Sequence, residues 1–305
     1  MKRIKILCTS IFLGLTAISA NAQLIQDIAG VGVTVNATNK FKDVPTSSLL
    51  NGNNFDLTTF DVWVPLVPLK FGKTRMFSNV NYRYFDFNYE NKTDNDPYVI
   101  DNISEIRGQI IVVSPISKRL SIQAITIPTV ASDFKGTFSS DDIILDGIYG
   151  ISRKFGKNAN LEIGFGVHLM YSFGELLVTP GVTVDYRSTN KKWIAQFYWP
   201  RLNILRNISQ NTQLGLAASI DWTRYNVKNY TDFQGNQIDY AQYSTIRSGI
   251  QFNQKLLGAV WLQLQGGVGL ANSYKLYDSK NETVRDFGFD TKPYGRLTLS
   301  YRIKK

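Results

Sequence analysis

Apolar and polar residues alternate along most of this chain. In the clearest example, residues 161–172, every odd-numbered residue is apolar, whereas the even-numbered residues are polar, charged or glycine except Met170. Because successive side chains of a strand point to opposite faces, a period of two indicates a β-strand and not a helix. The segment therefore predicts a strand with one apolar and one polar face.

The same pattern recurs in further segments. Their apolar positions are Val178, Val182, Val184 and Tyr186; Leu214, Leu216, Ala218, Ile220 and Trp222; Val260, Leu262, Leu264, Val268 and Leu270; and Leu297, Leu299, Tyr301 and Ile303. No charged residue stands between Lys255 and Lys275, a composition that could suggest an apolar helix. Glutamines and glycines occupy the alternate positions there, so the pattern favours a strand.

Two classes of connection separate these segments. Short ones are expected near 71–75, 115–119, 155–160, 188–192, 209–212 and 254–258, and longer polar ones at 38–54, 90–101, 132–141, 227–238 and 272–292. Two outer connections, near Phe173-Gly174-Glu175 and Trp199-Pro200, would have to be tight. Short turns that mostly alternate with long loops are typical of outer-membrane barrels.

The alternating segments give thirteen clear or moderate strands and one weak strand at 201–208. Both ends of such a barrel face the periplasm, which requires an even number of strands. We therefore predict an all-β fold, a single antiparallel transmembrane β-barrel of about 14 strands, with 12 as the alternative.

A secreted β-sandwich would also show alternation, but its strands are usually shorter. Aromatic residues also gather near segment ends, as in the interfacial girdles of membrane barrels. These residues are Trp63, Tyr171, Tyr186, Trp193, Trp199, Trp222 and Tyr301. The girdles favour the membrane barrel.

The first 22 residues have the features of a cleaved secretory signal peptide. Lys2, Arg3 and Lys5 precede an apolar stretch, and Ala20-Asn21-Ala22 offers the small residues that signal peptidase requires. The prediction is therefore a signal peptide over 1–22 and a barrel domain over 23–305, exported to the outer membrane of a Gram-negative bacterium. The one cysteine, Cys8, precedes most of the apolar stretch, so lipidation is not expected.

Charge adds little to this interpretation. Residues 1–22 hold three of the 34 basic residues and none of the 24 acidic ones, so the remaining chain carries about seven surplus positive charges. Much of the surplus is expected in turns and chain ends that face the periplasm: Lys73, Lys118, Arg119, Lys154, Lys157, Lys191, Lys192, Lys304 and Lys305. Without a Lys/Arg-rich run in an exported chain, nucleic acid is not an expected partner.

The polar phase of each strand predicts which charged residues face the lumen. These candidates are Asp61, Arg83, Glu105, Arg107, Asp146, Glu162, His168, Asp185, Arg187, Asp221, Arg247, Arg296 and Arg302. Six are acidic and six are arginines. A selective pore usually displays a ring of one sign, whereas a balanced interior suits ion pairs that brace a narrow barrel.

Motifs for chemistry are weak. Gly72-Lys73-Thr74 matches the end of a phosphate-binding loop, but Val67 stands where its first glycine belongs, so an ordinary turn is expected. One histidine and no cysteine beyond Cys8 cannot form a typical zinc site, and no metal or cofactor is predicted. The best oxygen cluster for calcium is Asp94, Asp96 and Asp101, with Asn91 and Asn95, although loop acids are usually just solvated.

A lipid hydrolase within the barrel would need a serine within hydrogen-bond reach of a histidine. His168 and Ser172 share a face, but residues four apart on a strand lie about 13 Å from each other. Residue 170 is Met, so a His-x-Ser arrangement is absent, and only a cross-strand partner could serve. We expect His168 to be a polar lumen residue and predict no enzyme.

From residue 23 to residue 305 the chain resembles an uncharacterised family of Gram-negative outer-membrane barrels, described as a domain of unknown function. The features that carry the resemblance are the signal, the hairpin spacing and the aromatic edge Phe197-Tyr198-Trp199-Pro200. The resemblance implies a single barrel, an outer-membrane location and no assigned activity or catalytic residue. The chain departs from the commonest barrel ending, a terminal aromatic, because it ends Arg302-Ile303-Lys304-Lys305.

The sequence therefore favours a porin-like passive channel or binding barrel for small solutes. A structural or surface-display barrel without transport is the main alternative, and a membrane-embedded lipid hydrolase is the third. The expected partners are outer-membrane lipid, small solutes and the barrel-assembly machinery during insertion.

Overall fold

The computed structural model describes residues 27–42, 54–90, 99–100, 102–172, 175–232 and 234–302. The predicted signal peptide lies outside the described residues. Apart from one short 3₁₀ helix, Ser140–Asp142, the regular elements there are strands. Within those residues, no helix is long and apolar enough to cross a membrane.

Sixteen strands follow one another along the chain. They are β1 (Asp27–Lys40), β2 (Asn54–Pro65), β3 (Leu69–Phe71), β4 (Thr74–Tyr89), β5 (Asn102–Pro115), β6 (Leu120–Ser132), β7 (Ile143–Phe155), β8 (Leu161–Ser172), β9 (Glu175–Arg187), β10 (Trp193–Tyr198), β11 (Arg201–Asn207), β12 (Thr212–Thr231), β13 (Gln237–Leu257), β14 (Val260–Tyr277), β15 (Thr283–Gly288) and β16 (Lys292–Arg302).

Fourteen of these strands close into an antiparallel barrel, which confirms the predicted fold and strand number. Each pairs with its neighbours along the chain, and β1 closes the ring by pairing with β16. The other two strands are accessory. Among the described residues, β3 pairs only with β4, and β15 pairs only with residues 273–277 of β14. The weak strand predicted at 201–208 is present as β11.

Side chains alternate between a buried interior phase and an exposed outer phase. On the outer phase Phe165 is 63% exposed, Leu216 59% and Ile250 60%, although all three are apolar. A soluble protein would not leave so many large apolar side chains uncovered around its whole circumference, whereas the outer surface of a membrane barrel contacts lipid. The outward apolar phase therefore forms the lipid-facing surface of a transmembrane barrel.

One predicted girdle residue belongs to the interior. Trp63 lies on the same phase of β2 as the buried Asp61, and its Nε1 donates a hydrogen bond of 3.3 Å to the Asp27 carbonyl oxygen. Its ring lies so close to Gly30 that a Cβ added there would fall 2.5 Å from it. Gly30 thus provides the space that Trp63 occupies inside the barrel.

Two predicted loops are mostly strands. Where a long connection was expected at 227–238, β12 continues to Thr231 and β13 begins at Gln237. Similarly, β14 and β15 occupy most of 272–292. The physical reason is that Val227, Ile238 and Leu276 are buried there with several aromatic rings, so the polar residues between them do not mark loops.

The connections define two ends. The turn end carries short connections such as 116–119, 156–160 and 188–192, and Gly72 makes the β3–β4 turn with a φ of +59°. The segment Gly72-Lys73-Thr74 is thus the ordinary turn that the sequence predicts. The loop end carries the long segments after β1, β4 and β6, together with the tight connection between Tyr198 and Arg201 that the sequence predicted.

Leu264 and Gln263 test the orientation of β14. Leu264 is exposed on the outer phase, and Gln263 is half-buried on the interior phase. Leu264→Arg should lower the stability of the refolded barrel by about 2–4 kcal/mol, because it places a charge in the hydrocarbon layer. Gln263→Arg should cost much less. Denaturant titration in lipid vesicles measures both, and equal losses would contradict the assigned faces.

Candidate functional site in the barrel interior

The loop end of the interior is filled by an aromatic cluster. Its rings are Phe41, Phe55, Phe85, Phe87, Tyr89, Tyr225, Tyr240, Tyr243, Tyr274, Tyr277, Phe287 and Phe289. Phe41 lies at its centre and packs on Phe55 and Phe289, with ring centroids 4.5 and 4.9 Å away. Such offset and edge-to-face contacts add to the stabilisation from apolar burial. The cluster obstructs the interior at this end.

Sequence reasoning placed only polar side chains inside the barrel and missed this cluster. Phe55 and Leu57 share the interior phase of β2 with Asp61, and Phe85 and Phe87 share that of β4 with Arg83. The interior phase therefore changes from polar to aromatic along a single strand. The sequence did carry a signal for the cluster. Phe55, Leu57 and Asp61 occupy alternate positions of one strand, so they must share the interior face.

At the loop end, two strands that are distant in the sheet also contact each other. β6 and β12 are separated by five strands in the sheet, yet Ser132 of β6 pairs with Asn226 of β12. The β6–β7 connection holds this contact, because Lys228 Nζ lies 3.6 Å from Asp142 Oδ1 and the Asn226 amide donates to the same oxygen at 3.0 Å. These residues form a lock between β6 and β12.

Asp142 is ionised in the lock. Burial alone would raise its pKa, but hydrogen bonds from the Ser139 backbone and the Ser132 side chain, together with Lys228, hold the pKa below its usual range. The carboxylate is therefore charged at neutral pH and attracts Lys228. The lock is an ionic contact at neutral pH.

Arg83 lies at the centre of the interior below the aromatic cluster. Its guanidinium contacts three carboxylates, with nitrogen–oxygen distances of 2.6 Å to Asp61, 3.8 Å to Asp221 and 4.0 Å to Glu105. β4 and β12 are separated by five strands on one side of the ring and seven on the other. The Arg83–Asp221 pair therefore spans the lumen.

Further arginines extend this network. Arg107 contacts Glu105 at 2.8 Å, Arg296 contacts Asp61 at 3.4 Å, and Arg247 pairs with Asp221. The Glu105 side chain is fully buried and that of Arg83 is 8% exposed. Charges so poorly solvated depend on their partners.

The remaining candidates lie outside this centre. Arg187 contacts Asp185 at 3.7 Å, whereas Arg302 pairs with Asp27. Glu162 accepts a hydrogen bond of 2.7 Å from Ser152 and lies 4.0 Å from Lys154 Nζ. Sequence reasoning missed Asp27 and placed Lys154 in a turn. The signal for Lys154 was its spacing, since it shares the phase of Ser152 on β7.

Asp146, His168 and Thr179 form a row across three adjacent strands. His168 Nε2 lies 2.7 Å from Asp146 Oδ1, and His168 Nδ1 lies 3.2 Å from Thr179 Oγ1. This order of acid, imidazole and hydroxyl resembles a nucleophilic triad. Ser172, the serine on the same face, is not a hydrogen-bond partner of His168 in the part of the chain that the structure describes.

A cavity of about 230 Å³ opens at the turn end. Its wall is formed by Lys73, Arg75, Phe77, Val113, Pro115, Ser117, Lys118, Ser121, Gln123, Lys154, Glu162, Thr183, Asp185 and Tyr198. Glu162 and Asp185 are the only predicted lumen residues in this wall. The Arg83 network and the aromatic cluster are absent from it, so the cavity forms a separate compartment.

The described residues contain no group of three or more His, Cys, Asp or Glu side chains placed to hold a metal ion. The calcium candidates at 91–96 and at Asp101 lie outside the described residues.

Removal of Arg83 tests the importance of the central network. Arg83→Gln leaves Asp61 and Glu105 buried without their shared partner, and we expect a loss of about 3–5 kcal/mol in the free energy of unfolding. The control is Lys42→Gln, which breaks the Lys42–Asp290 pair of 2.6 Å on the exposed surface. Its cost should stay below about 1 kcal/mol. Denaturant titration compares them, and similar losses would refute a central role for Arg83.

Several solved structures match this chain at low sequence identity. The NanC porin is 6% identical, with a TM-score of 0.36 over 90% of this chain and 100% of that chain. The TodX monoaromatic hydrocarbon channel is 9% identical, with a TM-score of 0.40 over 92% and 91%. The Ralstonia pickettii toluene transporter TbuX is 9% identical, with a TM-score of 0.32 over 92% of this chain and 91% of that chain.

A search of curated proteins found no significant match. A family described as "Domain of unknown function (DUF6268)" matches residues 19–303, so this chain belongs to that family.

Proposed function

We propose that this protein is an outer-membrane barrel that binds a small solute in its turn-end cavity and is closed to free diffusion in the conformation described here. The observation that carries the proposal is the uneven filling of the interior. Aromatic rings obstruct the loop end, Arg83 spans the middle, and a cavity of about 230 Å³ remains at the turn end.

The outer surface supports the membrane location. Large apolar side chains are exposed along the outer phase of the strands. Near the turn end, two cations lie over outward aromatic rings, Arg153 at 5.5 Å from the centre of the Phe155 ring and Arg206 at 5.8 Å from that of Trp193. Aromatic and basic side chains of this kind suit the interface between lipid and water.

We assign no reaction to the row of Asp146, His168 and Thr179. Acyl transfer requires donors aimed at the developing oxyanion. His168 lies in the middle of β8 and pairs with Ile148 of β7 and Thr179 of β9, so neighbouring strands already take up the backbone amides on both sides. The row also lies outside the cavity wall. A binding barrel therefore explains the interior better than a hydrolase does.

The location and orientation can be tested with single cysteines, since Cys8 lies within the predicted signal peptide. Lys280 lies in the connection between β14 and β15 at the loop end, and Lys157 lies in the turn between β7 and β8. In intact cells, a membrane-impermeant maleimide should label Lys280→Cys but not Lys157→Cys. The opposite result would reverse the orientation, and labelling of both would argue against the proposed barrel in the outer membrane.

Planar-bilayer recording tests the closed interior. The wild-type barrel should show low conductance, whereas Phe87→Ala combined with Tyr243→Ala should raise it, because these two rings contact each other at 6.1 Å within the obstruction. Tyr82→Ala removes a ring from the outer phase of the same strand as Phe87 and should leave conductance unchanged. High conductance of the wild type would show that the interior is open.

A further inference from the structure

We infer that the turn-end cavity binds a small organic anion with a flat apolar part, a proposal that rests on the proposed solute-binding function. The ligand class follows from the wall of the cavity. One side carries cations, and another side carries apolar residues.

The mouth of the cavity carries cations without acidic partners. Lys73 and Lys118 lie in the turns before β4 and after β5, and Arg75 occupies the interior phase of β4 beside Val113 of β5. In the part of the chain that the structure describes, no carboxylate forms an ion pair with these three side chains. Their charge is therefore available to an anion that enters from the turn end.

The two acids of the cavity wall are already occupied. Asp185 accepts hydrogen bonds of 2.8 Å from the Tyr198 hydroxyl and 3.2 Å from the Gln196 amide, and Arg187 lies 3.7 Å away. Glu162 accepts hydrogen bonds from Ser152 and Gln123 at 2.7 and 3.1 Å. Because these groups stabilise both carboxylates, the acids do not neutralise the cations at the mouth.

The apolar side of the cavity indicates that the ligand has a flat apolar part. Phe77 is buried and packs with Ile111, and Val113 and Ile125 lie against this pair. Phe77 and Val113 also line the cavity directly. A carboxylate group near Arg75 would thus place an attached ring on an apolar surface.

Benzoate is a suitable probe, with benzamide as its uncharged analogue. Titration calorimetry of the refolded barrel in nonionic detergent should show benzoate binding and much weaker benzamide binding. Arg75→Gln should weaken benzoate binding about tenfold or more, since it removes a charge-assisted hydrogen bond. Lys118→Gln, in an exposed turn, should also weaken it and does not endanger folding.

Arg153→Gln is the matched control. Arg153 lies on β7 near the same end but on the outer phase, over the Phe155 ring at 5.5 Å. The substitution removes one positive charge from the barrel without changing the cavity, so benzoate affinity should stay within about twofold. Equal losses in Arg75→Gln and Arg153→Gln would mean that only net charge attracts the anion, which would overturn the site.

The remaining outcomes separate this inference from the proposed function. If benzamide binds as tightly as benzoate, the cavity accepts solutes but the preference for anions is wrong, and the proposed function stands. If the wild type binds neither probe, both the anion site and the proposed solute-binding function are contradicted. Arg75→Gln should unfold at the same denaturant concentration as the wild type. A loss of benzoate binding then reflects the cavity and not a misfolded barrel.

Discussion

The interior of this barrel depends on Arg83, which contacts carboxylates from three other strands. A closed sheet satisfies its own backbone hydrogen bonds, but it does not determine what fills the lumen. Because Asp61 and Glu105 are almost completely buried, removal of the guanidinium groups beside them would leave poorly solvated carboxylates without a cationic partner. Arg83 is such a partner and, through Asp221, connects opposite walls of the barrel. The charges thus divide the lumen and leave the turn-end cavity as a separate space.

The aromatic cluster and the ion network occupy some of the same strands, but the cluster lies nearer the loop end and the network nearer the turn end. On β2, Phe55 and Leu57 lie at the loop end, and Asp61 lies further toward the turn end on the same phase. On the lipid-facing phase of the same strand, Phe60, Val62 and Val64 are apolar and exposed, so the two surfaces obey different constraints. Lipid requires a continuous apolar belt, whereas the interior can be aromatic where it is closed and polar where it is braced.

Much of this fold follows from the sequence alone. The period of two gives the strands, and the outer phase gives the lipid-facing residues, because lipid contact imposes one uniform requirement on every strand. The interior is harder to predict, since a residue such as Arg83 acquires its partner Asp221 only when the 137 residues between them have folded into the barrel. The mistaken loops at 227–238 and 272–292 have the same cause. Their polar residues suggest turns until the aromatic cluster provides a surface against which Val227 and Leu276 can pack.

The site was predictable in its composition but not in its division into compartments. Balanced acids and arginines suggested ion pairs, and the charges of Lys73 and Lys118 were assigned to turns. What the sequence did not indicate is that Arg75 and Lys154 also reach the cavity from strands, while Glu162 and Asp185 are held by their own neighbours. Pairing inside the barrel therefore has a consequence at its mouth. The more completely the interior acids are satisfied, the more of the basic surplus remains free to act on solutes at the turn end.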